Sequence, residues 1–245
     1  MLFQVIVFSL LGSVGAIAVS ALLLLFPQGI RQVLVPCLIS YATGTLLGAA
    51  FLGMIPSALS QAPAINVLAT VLAGMVLFFV LEKLVLWRHC HEAECAVHGR
   101  AGPLILIGDA FHNFVDGVVI AAAFLTSIPL GIATALAVIA HEIPQEVGDF
   151  AILLDNGYGR VRALLLNGLS SAATLPGAVI AYFWLGETRE AVPYILALSA
   201  ASFIYIATAD LIPGLHRQMT FAASLRQVLL LLAGIATIAF FRLGG

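Results

Sequence analysis

The sequence predicts an all-α polytopic membrane protein with eight transmembrane helices. Composition, hydropathy and segment length predict it together. Of the 245 residues, 62% are hydrophobic and only 9% charged, where a soluble domain carries about 25% charged residues. Mean hydropathy is +1.13. Eight runs are long enough to cross a hydrocarbon core of roughly 30 Å, which takes about 20 apolar residues. Ten Lys and Arg with twelve Asp and Glu cannot coat a soluble protein of this size. The formal net charge of −2 offers nucleic acid nothing general to bind. No polar stretch is long enough to separate two domains, so residues 1–245 read as a single transmembrane domain.

The spans follow from apolar runs and the breaks between them. The first, Leu2–Phe26, ends at Pro27-Gln28-Gly29. No Lys or Arg precedes Arg31, so this start lacks the basic region of a signal peptide. Its apolar run is also too long for one, and it reads as a retained span. The second, Val33–Leu59, ends at Gln61-Ala62-Pro63. The third, Ala64–Trp87, leads into a polar loop over residues 88–102. Only Thr126-Ser127 parts the fourth, Pro103–Leu125, from the fifth, Pro129–Asp155. Asn156-Gly157-Tyr158-Gly159 precedes the sixth, Val161–Leu185, and Gly186-Glu187-Thr188 precedes the seventh, Ala191–Leu215. The eighth is Phe221–Phe241. These breaks carry turn chemistry, and the alternation of β-barrel strands is absent.

Basic residues give the orientation, because cytoplasmic loops collect them. With the N-terminus outside, Arg31, Lys83, Arg88, Arg100, Arg160, Arg162, Arg217 and Arg226 fall on the cytoplasmic side. Only Arg189 and Arg242 fall on the other, so both termini are expected outside. There is also an internal echo: Gly53-Met54-Ile55-Pro56 ends the second span and Asp210-Leu211-Ile212-Pro213 ends the seventh. These spans run in opposite directions, as an inverted repeat of spans 1–3 and 6–8 around spans 4 and 5 requires.

Ionisable groups at membrane depth are costly and mark function. Span 4 carries Asp109, His112, Asn113 and Asp116, and span 5 carries His141, Glu142, Gln145, Glu146 and Asp149. At about 100° per residue each set occupies one stripe of its helix. His112 and Asp116 are four residues apart and can reach one ion together. His112 lies about 14 Å along its helix from one membrane face and His141 about 18 Å from the other, so both fall near the midplane. The two-residue turn makes the helices antiparallel neighbours, and their stripes can face each other. Imidazole with carboxylate suits a borderline transition metal such as Zn²⁺, with Fe²⁺ or Mn²⁺ as alternatives. Pro144 removes the hydrogen bond to the Ala140 carbonyl and is expected to kink the helix beside His141. A single buried His–Asp pair would read as a bond between helices; nine polar residues on facing stripes read as a site. Asp109 and Asp149 divide between a supporting role and helix packing, and Asp210 reads as structural or as an exit-path residue.

These residues carry a family resemblance. His112-Asn113-Phe114-Val115-Asp116-Gly117 resembles the His-Asn-x-x-Asp/Glu-Gly signature of the ZIP (Zrt-/Irt-like) metal transporters. The run from His141 to Asp149 resembles the His-Glu-x-Pro-His-Glu-x-Gly-Asp motif of one ZIP subfamily, and Ala42-Thr43-Gly44-Thr45-Leu46-Leu47-Gly48 also looks typical. The resemblance covers essentially the whole chain. It implies a transporter moving divalent metal, usually zinc, into the cytoplasm, with Fe²⁺, Mn²⁺, Cd²⁺ or other divalent metals as possible further substrates. By motif position the metal site would comprise His112, Asn113, Asp116, His141, Glu142 and Gln145, with Glu146 beside them. A homodimer and an elevator-like movement of one helix bundle against another are implied as well. The chain is expected in the plasma (inner) membrane of a bacterium. Three departures bear on the site. Gln145 stands where the subfamily motif has His. Span 6 offers only neutral groups, Asn167, Ser170, Ser171 and Thr174, where some relatives have an acid. Gly53 stands where the subfamily often has His.

The loop between spans 3 and 4 gathers His89, Cys90, His91, Cys95 and His98 with Glu92 and Glu94. Thiols on the cytoplasmic side stay reduced and can bind metal, although the spacing matches no zinc finger. The loop reads either as a weak metal-capturing or regulatory element or as a solvated linker. Cys37 reads as a small core residue. A rival function is an intramembrane zinc metalloprotease, since His141-Glu142-Ile143-Pro144-Gln145 is one residue short of His-Glu-x-x-His. The missing histidine and Pro144 count against it, and it leaves the span 4 stripe without a role.

Overall fold

The structure, a computed structural model, describes residues 1–89, 101–216 and 220–243. Among them there is no strand, and eight helices are long and apolar enough to cross a membrane. They are α1 (Leu2–Leu25), α2 (Gln28–Leu59), α3 (Ala64–Leu84), α4 (Leu106–Thr126), α5 (Ile128–Leu154), α6 (Arg160–Glu187), α7 (Arg189–Leu215) and α8 (Phe221–Arg242). Each matches an expected span to within a few residues, except that α2 starts five residues early. Pro27, in an extended conformation, sets that start, because Pro is suited to precede or open a helix. His89 closes the helical run of α3, and Cys90, His91, Cys95 and His98 lie outside the described residues.

The connections are built by local chemistry. Ser127 is extended and its Oγ accepts a hydrogen bond from the Leu130 N–H at 3.3 Å, an N-cap that starts α5 one residue after α4 ends. At the other end of α5, Gly157 takes φ +84°. The Tyr158 N–H donates to the Leu153 carbonyl and the Gly157 N–H to the Leu154 carbonyl. This glycine-closed cap turns the chain directly into α6. α5 remains helical on both sides of Pro144, where the Ser20 hydroxyl of α1 donates to the Ile143 carbonyl at 2.9 Å.

α2 and α7 share a local construction that periodicity does not reveal. Each contains a six-residue π-helical stretch, Ala49–Met54 and Ile206–Leu211, followed at once by Ile-Pro. A proline ring clashes with the carbonyl four residues back, and a widened turn before it relieves that crowding. The parallel falls on the two segments whose sequences echo each other.

The helices pack as two groups. α4 lies against α5 and α6, with α1 over α5 and α6, while α2 packs on α8 and α3 on α7. Within each group glycines bring backbones together. A Cβ on Gly117 would stand 2.0 Å from the Thr174 carbonyl oxygen, and one on Gly177 would stand 2.1 Å from that of Phe114. Gly44 and Gly234 do the same between α2 and α8, at 2.0 Å from Leu231 O and 2.3 Å from Tyr41 O. Such small-residue crossings are how membrane helices gain contact without a hydrophobic driving force. The two groups meet where α5 touches α2 and α8 and α4 touches α7. There Phe124, Phe203, Leu46, Met54, Ile120 and Leu130 are fully buried, closing the space between the polar stripes and the Thr126 end of α4.

Candidate metal centre

The polar stripes of α4 and α5 face each other and bring four side chains to one point. The His112 Nε2 is 3.4 Å from the His141 Nε2, 3.7 Å from Asp116 Oδ2 and 3.4 Å from Glu142 Oε1. The His141 Nε2 is 3.2 Å from Asp116 Oδ2 and 3.4 Å from Glu142 Oε1. Four ligand atoms on a tetrahedron with bonds of about 2.0–2.1 Å to zinc are about 3.3–3.4 Å apart along each edge. The five distances bracket that value, so the cluster has the dimensions of a zinc coordination shell.

Burial supplies the electrostatic reason for a cation. Asp116, His141 and Glu142 are at most 2% exposed. Asp116 Oδ2 and both Glu142 carboxylate oxygens accept no hydrogen bond among the described residues. Taking a carboxylate out of water costs several kcal/mol unless it is compensated. One divalent ion between the four groups would compensate both carboxylates at once, through Asp116 Oδ2 and Glu142 Oε1. The His141 Nδ1 lies 2.9 Å from the Ala137 carbonyl. Donation there holds the ring and leaves its Nε2 lone pair for the centre.

The remaining expected site residues sit around this cluster. Asn113 is fully buried, and its amide donates to Asp109 Oδ1 at 3.0 Å and to the Asp109 carbonyl at 3.2 Å. Its Oδ1 accepts from Thr174 Oγ1 at 3.0 Å. Gln145 donates to Asp109 Oδ1 at 3.3 Å, and the Ser170 hydroxyl donates to Asp109 Oδ2. Asn113 and Gln145 are thus engaged by Asp109, one helical turn from the four-residue cluster. Glu146 is fully buried with neither carboxylate oxygen hydrogen-bonded among the described residues, and its backbone carbonyl accepts from Asn167. Asp149 is half-buried on the same side of α5.

Two sets of residues have roles that the spacing of α4 and α5 does not disclose. Asn167, Ser170, Ser171 and Thr174, the neutral groups that span 6 offers where some relatives have an acid, hold Asp109, Asn113 and the Glu146 backbone. Their i, i+3, i+4, i+7 spacing is itself a helical stripe and was the available signal. α6 turns at Ala172 and Ala173, between Ser171 and Thr174, where it meets Asn113. The second set lines a cavity of about 280 Å³ that includes Glu82, Phe111, His112, Ser202, Tyr205 and Asp210. His112, 22% exposed, is the one member of the cluster that reaches it. The Tyr205 hydroxyl donates to Glu82 across it, joining α7 to α3.

A family model described as ZIP zinc transporter matches residues 88–242. The chain belongs to the ZIP zinc transporter family. Zinc transporter ZIP13 of Pongo abelii is 34% identical over 223 residues, covering 84% of this chain and 66% of that protein. ZIP13 of Mus musculus is 32% identical, covering 81% and 67%. Zinc transporter ZIP4 of Mus musculus is 46% identical over 112 residues, covering 46% of this chain and 17% of its own length. The chain therefore spans about two thirds, or much less, of these relatives. They are named as zinc transporters, not enzymes, and being mammalian they give no support to a bacterial inner membrane.

Membership also gives the motif glycines of this ZIP chain a physical reason. Gly117, which closes the α4 signature, is where α4 and α6 touch, and Gly44 is where α2 and α8 touch. Gly53 is packed against Leu130, whose Cδ1 would lie 2.9 Å from an added Cβ. A histidine there would collide unless Leu130 moved.

Proposed function

We propose that the chain carries divalent metal, zinc first, across the membrane through the site formed by His112, Asp116, His141 and Glu142. The observation that carries this reading is the set of 3.2–3.7 Å separations among their ligand atoms at mid-depth between α4 and α5. The names of the ZIP relatives support zinc as the substrate. Zinc loses its water to the cluster, where the ligands are already gathered and Asp116, His141 and Glu142 are already buried.

Transport runs inward in this reading. The cavity that reaches His112 is lined by Glu82 and Asp210, at the end of the bundle where Arg31, Lys83 and Arg160 lie. That end is cytoplasmic by the positive-inside rule. Buried Phe124, Phe203 and Met54 close the opposite side. Glu82 and Asp210 are acidic stations on the way out, and the Tyr205–Glu82 bond restrains that mouth. Access alternates as α1, α4, α5 and α6 move together against α2, α3, α7 and α8. The backbone-close glycine crossings within each group support rigid movement of that kind. A homodimer and a metal-capturing role for Cys90, His91 and Cys95 belong to the same proposal.

The protease reading has no observation in its favour. A catalytic Glu142 would have to stand off the metal as a base, yet its Oε1 lies 3.4 Å from both imidazoles, inside the cluster. The deciding experiment is zinc flux in liposomes containing the purified chain. Wild type moves zinc, and His112→Ala and Asp116→Ala each abolish the flux; unchanged flux in both variants rejects the site.

A further inference from the structure

A second cavity, of about 630 Å³, opens far from the metal cluster, between the end of α1, the start of α2, the end of α5 and the start of α6. This volume is typical of a ligand pocket. Leu22, Leu25, Phe150 and Leu164 give it an apolar wall, and Arg31 and Arg160 stand on its lining. Among the residues whose side chains are described, neither arginine is paired with a carboxylate, and the Arg31 Nε is buried with no hydrogen-bond partner. Nearby Arg162 is engaged, its guanidinium 5.2 Å from the Tyr158 ring. α2 and α6 both begin at this cavity, and neither has a side-chain cap. Two uncapped helix starts add partial positive charge to the two guanidiniums.

A bare apolar groove at this depth would accept any acyl chain. Arg31 is half-buried with its Nε unpartnered and Arg160 is exposed beside it, and two such guanidiniums at the mouth of the groove ask in addition for an anion. A soluble anion would match the arginines and leave the apolar wall unused. One ligand class matches both. We propose that the cavity binds an anionic glycerophospholipid, its phosphate on Arg31 and Arg160 and one acyl chain along α1, α5 and α6. Basic pockets between membrane helices recognise such headgroups. Arg31 belongs to α2 and Arg160 to α6, so the bound lipid spans the two helix groups.

Native mass spectrometry of the full chain in detergent, with added phosphatidylglycerol or phosphatidylcholine of the same chains, tests this. Wild type is expected to retain phosphatidylglycerol at least about ten-fold better, the effect of two guanidinium contacts. The Arg31→Gln, Arg160→Gln double variant loses that preference. Ala21→Trp, which fills the groove and leaves both arginines, loses phosphatidylglycerol altogether. Zinc binding is read in every variant to show that it is folded; if the double variant is not, Arg160→Gln at its exposed position gives the same reading. Equal retention of the two lipids by wild type overturns the proposal. So does undiminished phosphatidylglycerol binding in the folded arginine variant, or its displacement by millimolar inorganic phosphate.

Discussion

The imidazoles of His112 and His141 meet across α4 and α5 with their Nε2 atoms 3.4 Å apart, yet they are held differently. His141 is buried, with Nδ1 on the Ala137 carbonyl. His112 is 22% exposed to the cavity shared with Glu82 and Asp210. Both face Asp116 and Glu142, so each supplies one corner of the same cluster. Alanine at either position is expected to weaken zinc binding by on the order of 100-fold or more, beyond the 10–100-fold of an outer-shell loss. Competition titration of the purified protein measures it. Loss of binding in one variant alone would mean that the two rings do not share an ion.

Asp109 separates ligands from support. It accepts hydrogen bonds from Asn113, Gln145 and Ser170, so the two amides that family position would place on the metal are turned toward this carboxylate. Gln145→Ala is expected to weaken zinc binding by about ten-fold, whereas Glu142→Ala weakens it as strongly as the histidine variants. Equal losses in the two would put the Gln145 amide on the metal.

Spans and stripes were legible in the sequence because both are one-dimensional signals. Long apolar runs report spans directly, and His112 with Asp116, or His141 with Glu142, need only helical geometry. The turn at Thr126-Ser127 made α4 and α5 neighbours, which is why their facing could be anticipated. Contacts between helices distant in sequence were not legible in this way. Ser170 and Thr174 show their purpose only when α6 is laid against Asp109 and Asn113. Glu82 gives no sign in sequence of its bond to Tyr205, 123 residues away. The π-helical stretches of α2 and α7 escape a period of 3.6 because they interrupt it.

Gly117 lies in the α4 signature without touching the metal cluster, and its importance is steric. An added Cβ would stand 2.0 Å from the Thr174 carbonyl and 2.6 Å from the Ala178 nitrogen. Backbone atoms cannot swing aside as a side chain can. Gly117→Ala is expected to lower stability by at least about 1–3 kcal/mol, the cost of overpacking, and to shift Thr174 away from Asn113. Gly168→Ala on α6, which meets nothing within 4 Å, is the control and leaves the melting temperature in detergent near that of wild type. Similar behaviour of the two would show that α4 and α6 are not in backbone contact.

The side from which His112 is reached can be read chemically at Gly108. This residue lines the same cavity and has open space around its Cβ position, so a cysteine there fits without strain. In a chain whose Cys37, Cys90 and Cys95 are replaced by serine, Gly108→Cys would carry a single thiol. Thr188→Cys, exposed between α6 and α7, would carry one at the opposite end. A membrane-impermeant thiol reagent is expected to label Gly108→Cys from the side of the Arg31 and Arg160 loops and Thr188→Cys from the other. Zinc occupying the cluster should slow only the first reaction, because only that thiol shares a cavity with His112. Labelling of Gly108→Cys from the Thr188 side alone would reverse the assignment of the exit and with it the inward direction of transport.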